Sequence, residues 1–343
     1  LGAVLPLSGS DAQTGESLLD GLELGAKSVG PGPPVQIRVL DGEGEPGPTV
    51  RRCRELVDDP GIRAVVGGWL VPTARAMAAV AGPSGLPFVS LSPLTLPFGR
   101  ATSPGVFVLH RLPALASAAA RFAREDLSAN VAGVVRLVDH EISRTFADAF
   151  AEGFAQLGGE VAWTISPDEY RNLALPPGPE IRVDVIYVAA PSEWALDAVF
   201  LGDKGRSAKV LTSVGWESTN LNSLVNIGTE VYVSLFFAEG EVDPTTEQFL
   251  EECRAAGVAP TPAAAFAWDA ARLVRHAVAG SDGSRAGIAG ALARTDPITG
   301  ATGGLAPSGS SVADESPGIV SVTDQGWVPV RRVRAVAAAK SGG

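Results

Sequence analysis

Short apolar runs alternate with longer amphipathic stretches through the first third of the chain. "LGAVLPL" predicts a buried strand, and "GESLLDGLELGAKSV" predicts a helix, with apolar residues near i, i+3, i+4 and i+7. "VQIRVL", "IRAVVGG" and "PFVSLS" continue as strands, and the run ends at "GVFVLHRLP". The segments between them, "TVRRCRELVDD" and "VPTARAMAAVAGPSG", read as helices, the second stopping at its Gly-Pro. Alternation of this kind predicts a parallel sheet with right-handed crossovers.

The pattern then restarts. "SAAARFARED" and "SRTFADAFAEGFAQLG" read as helices, and "VAGVVRLV", "EVAWTIS", "VDVIYVAA", "AKVLTSV" and "VYVSLFF" as strands, with helical "PSEWALDAVFLG" among them. Two further helices, "TTEQFLEECRAAG" and "PAAAFAWDAARLVRHAVAG", follow the second set. "TGATGGLAPSGSSVADESPG" lacks apolar residues and is expected to be a surface loop. The tail "GIVSVTDQGWVPVRRVRAV" predicts a hairpin turning at Asp324-Gln325-Gly326.

Composition narrows the classes. A chain of 343 residues suits two domains, and 45% hydrophobic content is ample for two cores. No stretch reaches the roughly 18 apolar residues of a membrane span. A net charge of −11 argues against a nucleic-acid partner, which needs a basic surface. Two cysteines, Cys53 and Cys253, exclude a disulfide framework or cysteine metal cluster, and they are expected to stay unpaired. No signal peptide precedes Leu1; a processed secreted chain would look the same.

Catalytic motifs are wanting. "GEGEPG" at 42–47 spells G-x-G-x-x-G, but Asp41, Glu43 and Glu45 would repel a pyrophosphate and Pro46 removes a donor. It reads as an acidic loop. His110, His140 and His276 are widely separated, and no H-E-x-x-H or G-x-S-x-G occurs. "DHE" at 139–141 reads as a solvated or cleft-lining loop, with a metal or base role the alternative. No catalytic residue, metal or cofactor is expected. The strand ends instead carry small hydroxyls and apolar side chains: Ser8 after the first strand, Trp69, Leu70 and Val71 after the third, and Ser90, Ser92 and Thr95 at the fourth. Such edges suit capture of a carboxylate near helix N-termini, although Ser8 and Ser92 are equally suited to capping helices.

The order and spacing of "VLPLSG..AQTGESLLDGLELG", "DDPGIRAVVGG", "GLPFVSLSP", "TFADAFAEGFAQLGGEV", "FLEECRAAGVAPTPAAAFAWDAARLV" and "TGATGGLAPSG" carry a resemblance over nearly the whole chain. The chain resembles the type I periplasmic binding proteins, in their leucine/isoleucine/valine-binding branch of ABC-transporter receptors. The resemblance implies an α/β fold of two Rossmann-like lobes with parallel sheets, joined by a three-strand hinge. Lobe one would take 1–111 and 238–319, and lobe two 112–237 and the tail 320–343. Ligand contact with both lobes in the closed form would then drive closure.

In that family, hydroxyls and amides at the third and fourth strand ends grip the ligand carboxylate. Val71 stands where the resemblance expects a serine, while Ser90, Ser92 and Thr95 keep the second grip. Ile142, Pro191 and Val214 match positions where aromatic and acidic groups hold an ammonium, which none of them can do; Trp216 and Glu217 lie close as substitutes. With His140 on the same edge, these residues complete the expected site. Trp69, Leu70, Val71 and Ile142 point to an apolar or aromatic carboxylate rather than a small aliphatic amino acid. The expected function is a monomeric, non-enzymatic solute receptor, periplasmic or extracellular and open to lipid anchoring, that delivers its ligand to an ABC permease in the membrane. The alternatives are the sensory ectodomain of a larger receptor and an α/β enzyme.

Overall fold

The computed structural model describes residues 1–30, 32–92, 105–167, 183–190, 208–213, 230–238, 243–305, 307, 315–324 and 326–337. The chain divides into two units, Leu1–Arg111 with Val242–Ser310, and Leu112–Glu241 with Ser311–Gly343.

The first unit opens with β1 (Gly2–Leu5), α1 (Ala12–Lys27), β2 (Arg38–Asp41), α2 (Pro46–Asp58), β3 (Val65–Gly67), α3 (Val71–Ser84), β4 (Phe88–Ser90) and β5 (Val106–Val108). The second unit follows with α4 (Leu112–Glu125), β6 (Val131–Arg136), α5 (Glu141–Gln156), β7 (Glu160–Ile165), β8 (Val185–Ala189), β9 (Lys209–Thr212) and β10 (Val231–Leu235). The chain then returns to the first unit as α6 (Pro244–Ala256), α7 (Pro262–Ala279), α8 (Arg285–Arg294), β11 (Ile298–Gly300) and β12 (Gly303–Leu305). It ends in the second unit with β13 (Gly318–Thr323) and β14 (Gly326–Arg332).

The first sheet is parallel in the order β2-β1-β3-β4-β5. The second runs β14-β13-β10-β9-β8-β6-β7, with β6 to β10 parallel and the final hairpin antiparallel. Both parallel portions share one doubly wound strand order, with a switch point where the connections change direction: between β1 and β3 in one, between β6 and β8 in the other. The terminal hairpin forms as expected, with a register shift between Ile319 and Val320.

In the first unit, Val4, Leu56, Val65, Met77 and Phe88 form a core that also encloses Cys53. Cys53 and Cys253 are free buried thiols, and burial pushes each up to about 11. Helices α1 and α7 touch backbone to backbone because Gly21 and Gly25 face Ala264 and Trp268. A Cβ on either glycine would lie 2.0 or 2.4 Å from a carbonyl oxygen of α7. Arg275 fixes the chain after α1, donating to the carbonyls of Pro33, Gly25, Ser28 and Gly32. In the second unit, Val135, Trp163, Ile186, Val188 and Val210 pack together, with the Trp163 ring filling the space above Gly133.

Two expectations are corrected. Helix α3 continues through Gly82-Pro83 and ends at Gly85, whose left-handed φ of 71° lets its N–H reach the Gly82 carbonyl. Pro83 lacks the N–H that would bond the carbonyl four residues back, and the helix ends one residue later. The glycine-rich segment from Thr299 is not all surface loop: β11 and β12 pair, and Gly300, Ala301, Thr302 and Gly303 are buried. The carboxylate of Asp269 on α7 anchors them, accepting from the Ala301 amide at 2.8 Å and the Thr302 amide at 2.9 Å. Satisfied polar groups replace the apolar residues this segment lacks.

Candidate functional site

At the switch point of the first sheet the chain leaves β1 through Pro6, Leu7 and Ser8. Asp41, at the end of the neighbouring β2, accepts from the amides of Leu7 at 3.0 Å and Glu43 at 2.8 Å. Burial acts to raise the Asp41 carboxyl, but hydrogen bonds from the Ser8 hydroxyl and the Glu43, Leu7 and Ser8 amides outweigh it and hold it below its usual range. Ser8, nominated as a ligand contact, is exposed and spends its hydroxyl on Asp41.

Across the switch point, Gly67-Gly68 turns β3 into α3. A Cβ on Gly67 would meet the Val4 carbonyl at 2.4 Å, and Gly68 has φ 68° with the Ala74 Cα 2.6 Å from its Cβ position. That tight turn delivers Trp69, Leu70 and Val71, all half-buried, to the carboxyl edge of the sheet. No side chain caps α3, and Pro72 offers no N–H. Thr73 donates its hydroxyl back to the Leu70 carbonyl at 2.8 Å. A cavity of about 10 Å³ lies here, lined by Pro6, Gly44, Trp69, Leu70 and Thr73 among others. That is room for about one water.

Trp69 meets Phe266 of α7 edge to face, and Phe266 meets His110, just beyond β5, in the same way with ring centroids 5.4 Å apart. His110 Nε2 lies 2.6 Å from the Thr302 hydroxyl oxygen, and that hydroxyl donates to Asp269. Burial pushes the Asp269 carboxyl up, opposed by its bonds from Thr302 and Ala301 and by the nearby His110. A continuous line of contacts therefore runs from half-exposed Trp69 to the buried Asp269. Phe266 and His110 were not among the nominated site residues. The sequence held one signal for Phe266, an aromatic in the first turns of an alanine-rich helix; His110 offered only its place after a strand.

Ser90 pairs in register with Gly67, which sets β4 beside the α3 terminus. Ser90 and Ser92 are buried, and the Ser92 amide donates to the Ser90 hydroxyl at 3.3 Å. Thr95 lies outside the described residues.

In the second unit Ser143 occupies the switch point. Its hydroxyl accepts from the Leu137 amide beyond β6 at 2.8 Å and donates to the Ala189 carbonyl at the end of β8. His140 caps α5, its Nδ1 accepting from the Ser143 amide at 3.2 Å, so this nitrogen serves the helix. Ile142 is half-buried in the first turn of α5. Pro191, Trp216 and Glu217 lie outside the described residues. Tyr187, Ser213 and Ser234 bond hydroxyl to hydroxyl across β8, β9 and β10, at 2.8 and 2.7 Å. Among the described residues no group of three or more His, Cys, Asp and Glu is placed to hold a metal ion. No described helix is long and apolar enough to cross a membrane. The first unit's edge thus offers aromatic and apolar surface beside an uncapped helix N-terminus, an arrangement for binding an anion with an apolar body.

The family model for the periplasmic binding proteins matches residues 1–311. No curated protein sequence matches the chain. Among solved structures, a protein assigned as a branched-chain amino acid ABC transporter from Rhodospirillum rubrum is 23% identical, with a TM-score of 0.75 over 96% of this chain and 99% of its own. The branched-chain amino acid transporter substrate-binding protein of Streptococcus pneumoniae, in complex with isoleucine, is 20% identical, with a TM-score of 0.69 over 97% and 98%. An ABC transporter solute-binding protein of R. palustris, in complex with benzoate, is 19% identical, with a TM-score of 0.68 over 98% and 97%.

Proposed function

Because the chain belongs to the periplasmic binding protein family, with the type I fold, we propose that it is the solute-binding receptor of an ABC importer and takes a small aromatic or apolar carboxylate. The observation that carries the ligand class is Trp69, held edge-on by Phe266 beside the uncapped start of α3. An aromatic ring finds an aromatic partner there, and a carboxylate finds the positive end of a helix dipole. Val71 at the first position of α3 adds apolar surface. The R. palustris complex is an instance of this fold holding an aromatic carboxylate, as the S. pneumoniae complex is of its holding isoleucine, so the ligand class rests on Trp69 and Phe266.

Thermal-shift measurements with benzoate and leucine test the reading, because a ligand bound by the folded form alone raises its stability, by about 2.7 kcal/mol at a hundredfold excess over Kd. Benzoate is expected to raise Tm in a saturable way, and Trp69→Ala to weaken it by about tenfold or more, the loss of roughly 1.4 kcal/mol. A larger response to leucine than to benzoate, unchanged in Trp69→Ala, overturns the aromatic reading.

A further inference from the structure

We propose that His110 is a positioning residue of the solute site: it touches no solute itself, and sets affinity by holding Phe266, and through Phe266 the Trp69 indole, in place. This role rests on the solute reading, in which Trp69 receives the ligand's ring. Separate stretches of the first unit meet here. Trp69 follows β3, His110 follows β5, Phe266 lies on α7, and Thr302 sits between β11 and β12.

Phe266 needs a brace from outside its own helix. Side chains three or four positions apart share a helix face. At those spacings α7 gives Phe266 only Pro262, Ala263, Asp269 and Ala270, none with a ring or a long apolar chain to hold it. Trp69 and His110 supply rings from other elements, with centroids 5.7 and 5.4 Å from that of Phe266 and planes at 80° in both pairs. Trp69 is half-buried, whereas His110 is 1% exposed and out of a solute's reach. His110 is the fixed flank of Phe266, and Trp69 the open one.

A count of protons shows what fixes the His110 ring. The Asp269 carboxylate accepts from the amides of Ala301 and Thr302 and from the Thr302 hydroxyl. A hydroxyl has one hydrogen to give, and Thr302 gives it to Asp269. His110 Nε2, 2.6 Å from the Thr302 oxygen, is therefore the donor of that bond, which sets the tautomer and the direction of the ring. A hydrogen bond is directional, so it resists tilting of the ring as apolar contact alone does not. The line from Asp269 to Phe266 gives Trp69 a rigid back, and a platform already in place spares an aromatic solute the entropy of ordering it.

Two variants of the full chain cut this line at different links. His110→Gln keeps an N–H donor for Thr302 but has no ring, and Thr302→Val keeps the ring but removes its anchor. Each should weaken benzoate by at least about threefold in calorimetry, within the range of a lost aromatic pair. Thr302→Ser, which keeps the hydroxyl, should bind within about twofold of the wild type. The near-ultraviolet circular dichroism of Trp69, taken in each background as the difference from Trp69→Phe, should shrink in His110→Gln and Thr302→Val and persist in Thr302→Ser. A purely structural role would lower Tm and leave affinity and the Trp69 signal as in the wild type; that result in His110→Gln overturns the proposal. So does a loss in Thr302→Ser equal to that in Thr302→Val. If one cutting variant does not fold, the other carries the test through the same two readouts. A wild type that does not bind benzoate defeats the solute reading, and the Trp69 signal still decides whether His110 positions the ring.

Discussion

Phe266 stands edge-on to Trp69, with ring centroids 5.7 Å apart and planes at 80°. Phe266 is itself buried, so it is the fixed member of the pair and Trp69 the one that faces outward. Removing the fixed ring should free the other. Phe266→Ala is expected to destabilise the first unit by about 3–5 kcal/mol through the cavity it leaves. Phe266→Leu keeps most of the volume and should lose mainly the aromatic pairing, about 0.5–1.5 kcal/mol. In Phe266→Leu, benzoate affinity should fall while the fold persists, read by calorimetry alongside circular dichroism. Unchanged affinity would show that Trp69 needs no such support.

Asp269 holds the turn between β11 and β12 through two amides and the Thr302 hydroxyl. Asp269→Ala would leave those buried donors unsatisfied at about 1–3 kcal/mol each, before any local relaxation. Asp269→Asn keeps an acceptor oxygen and should lose less. Urea unfolding of the three proteins should rank them wild type, Asn, Ala in falling stability. Equal stability of Ala and wild type would mean that the turn is held by other contacts.

Asp41 gives the fold a pH signature. Its carboxyl lies below the ordinary range in the folded chain, so the unfolded chain takes up protons first as the pH falls. The stability it contributes is present above its ordinary pKa of about 4 and is lost as the pH falls through the lower folded value. At neutral pH, Asp41→Ala should cost about 1 kcal/mol, a modest figure because the group is half exposed. Tm measured against pH should show the gap between variant and wild type closing below about pH 4. A gap that persists in acid would assign the loss to packing.

The backbone contact of α1 with α7 ties the fold to the site. Gly21→Val would drive a side chain into the Ala264 carbonyl, which has no room to yield, and should cost at least about 3 kcal/mol. Because α7 also carries Phe266, any Gly21 variant that folds should lose benzoate affinity in step with its stability. Calorimetry and thermal melts on Gly21→Ala, the mildest change, would show the coupling. Full affinity in a clearly destabilised variant would argue against it.

By itself the sequence determined the elements whose signal is local. Two apolar-rich runs either side of the polar turn at Asp324 specify the terminal hairpin, and apolar runs broken by amphipathic helices specify parallel sheets. The same patterning places Trp69, Leu70 and Val71 just beyond a strand, and the structure brings them to the carboxyl edge beside Ser90. What Ser8, His140 and Ser143 do was not legible: the first serves Asp41, the second caps a helix, and the third joins the ends of β6 and β8. Nor was the burial of residues 300–303, or the place of Phe266 between Trp69 and His110. Periodicity reports which face of an element avoids water. It carries no information about a carboxylate that satisfies two amides 32 and 33 residues further along the chain, because such a bond exists only once the backbone has brought donor and acceptor together.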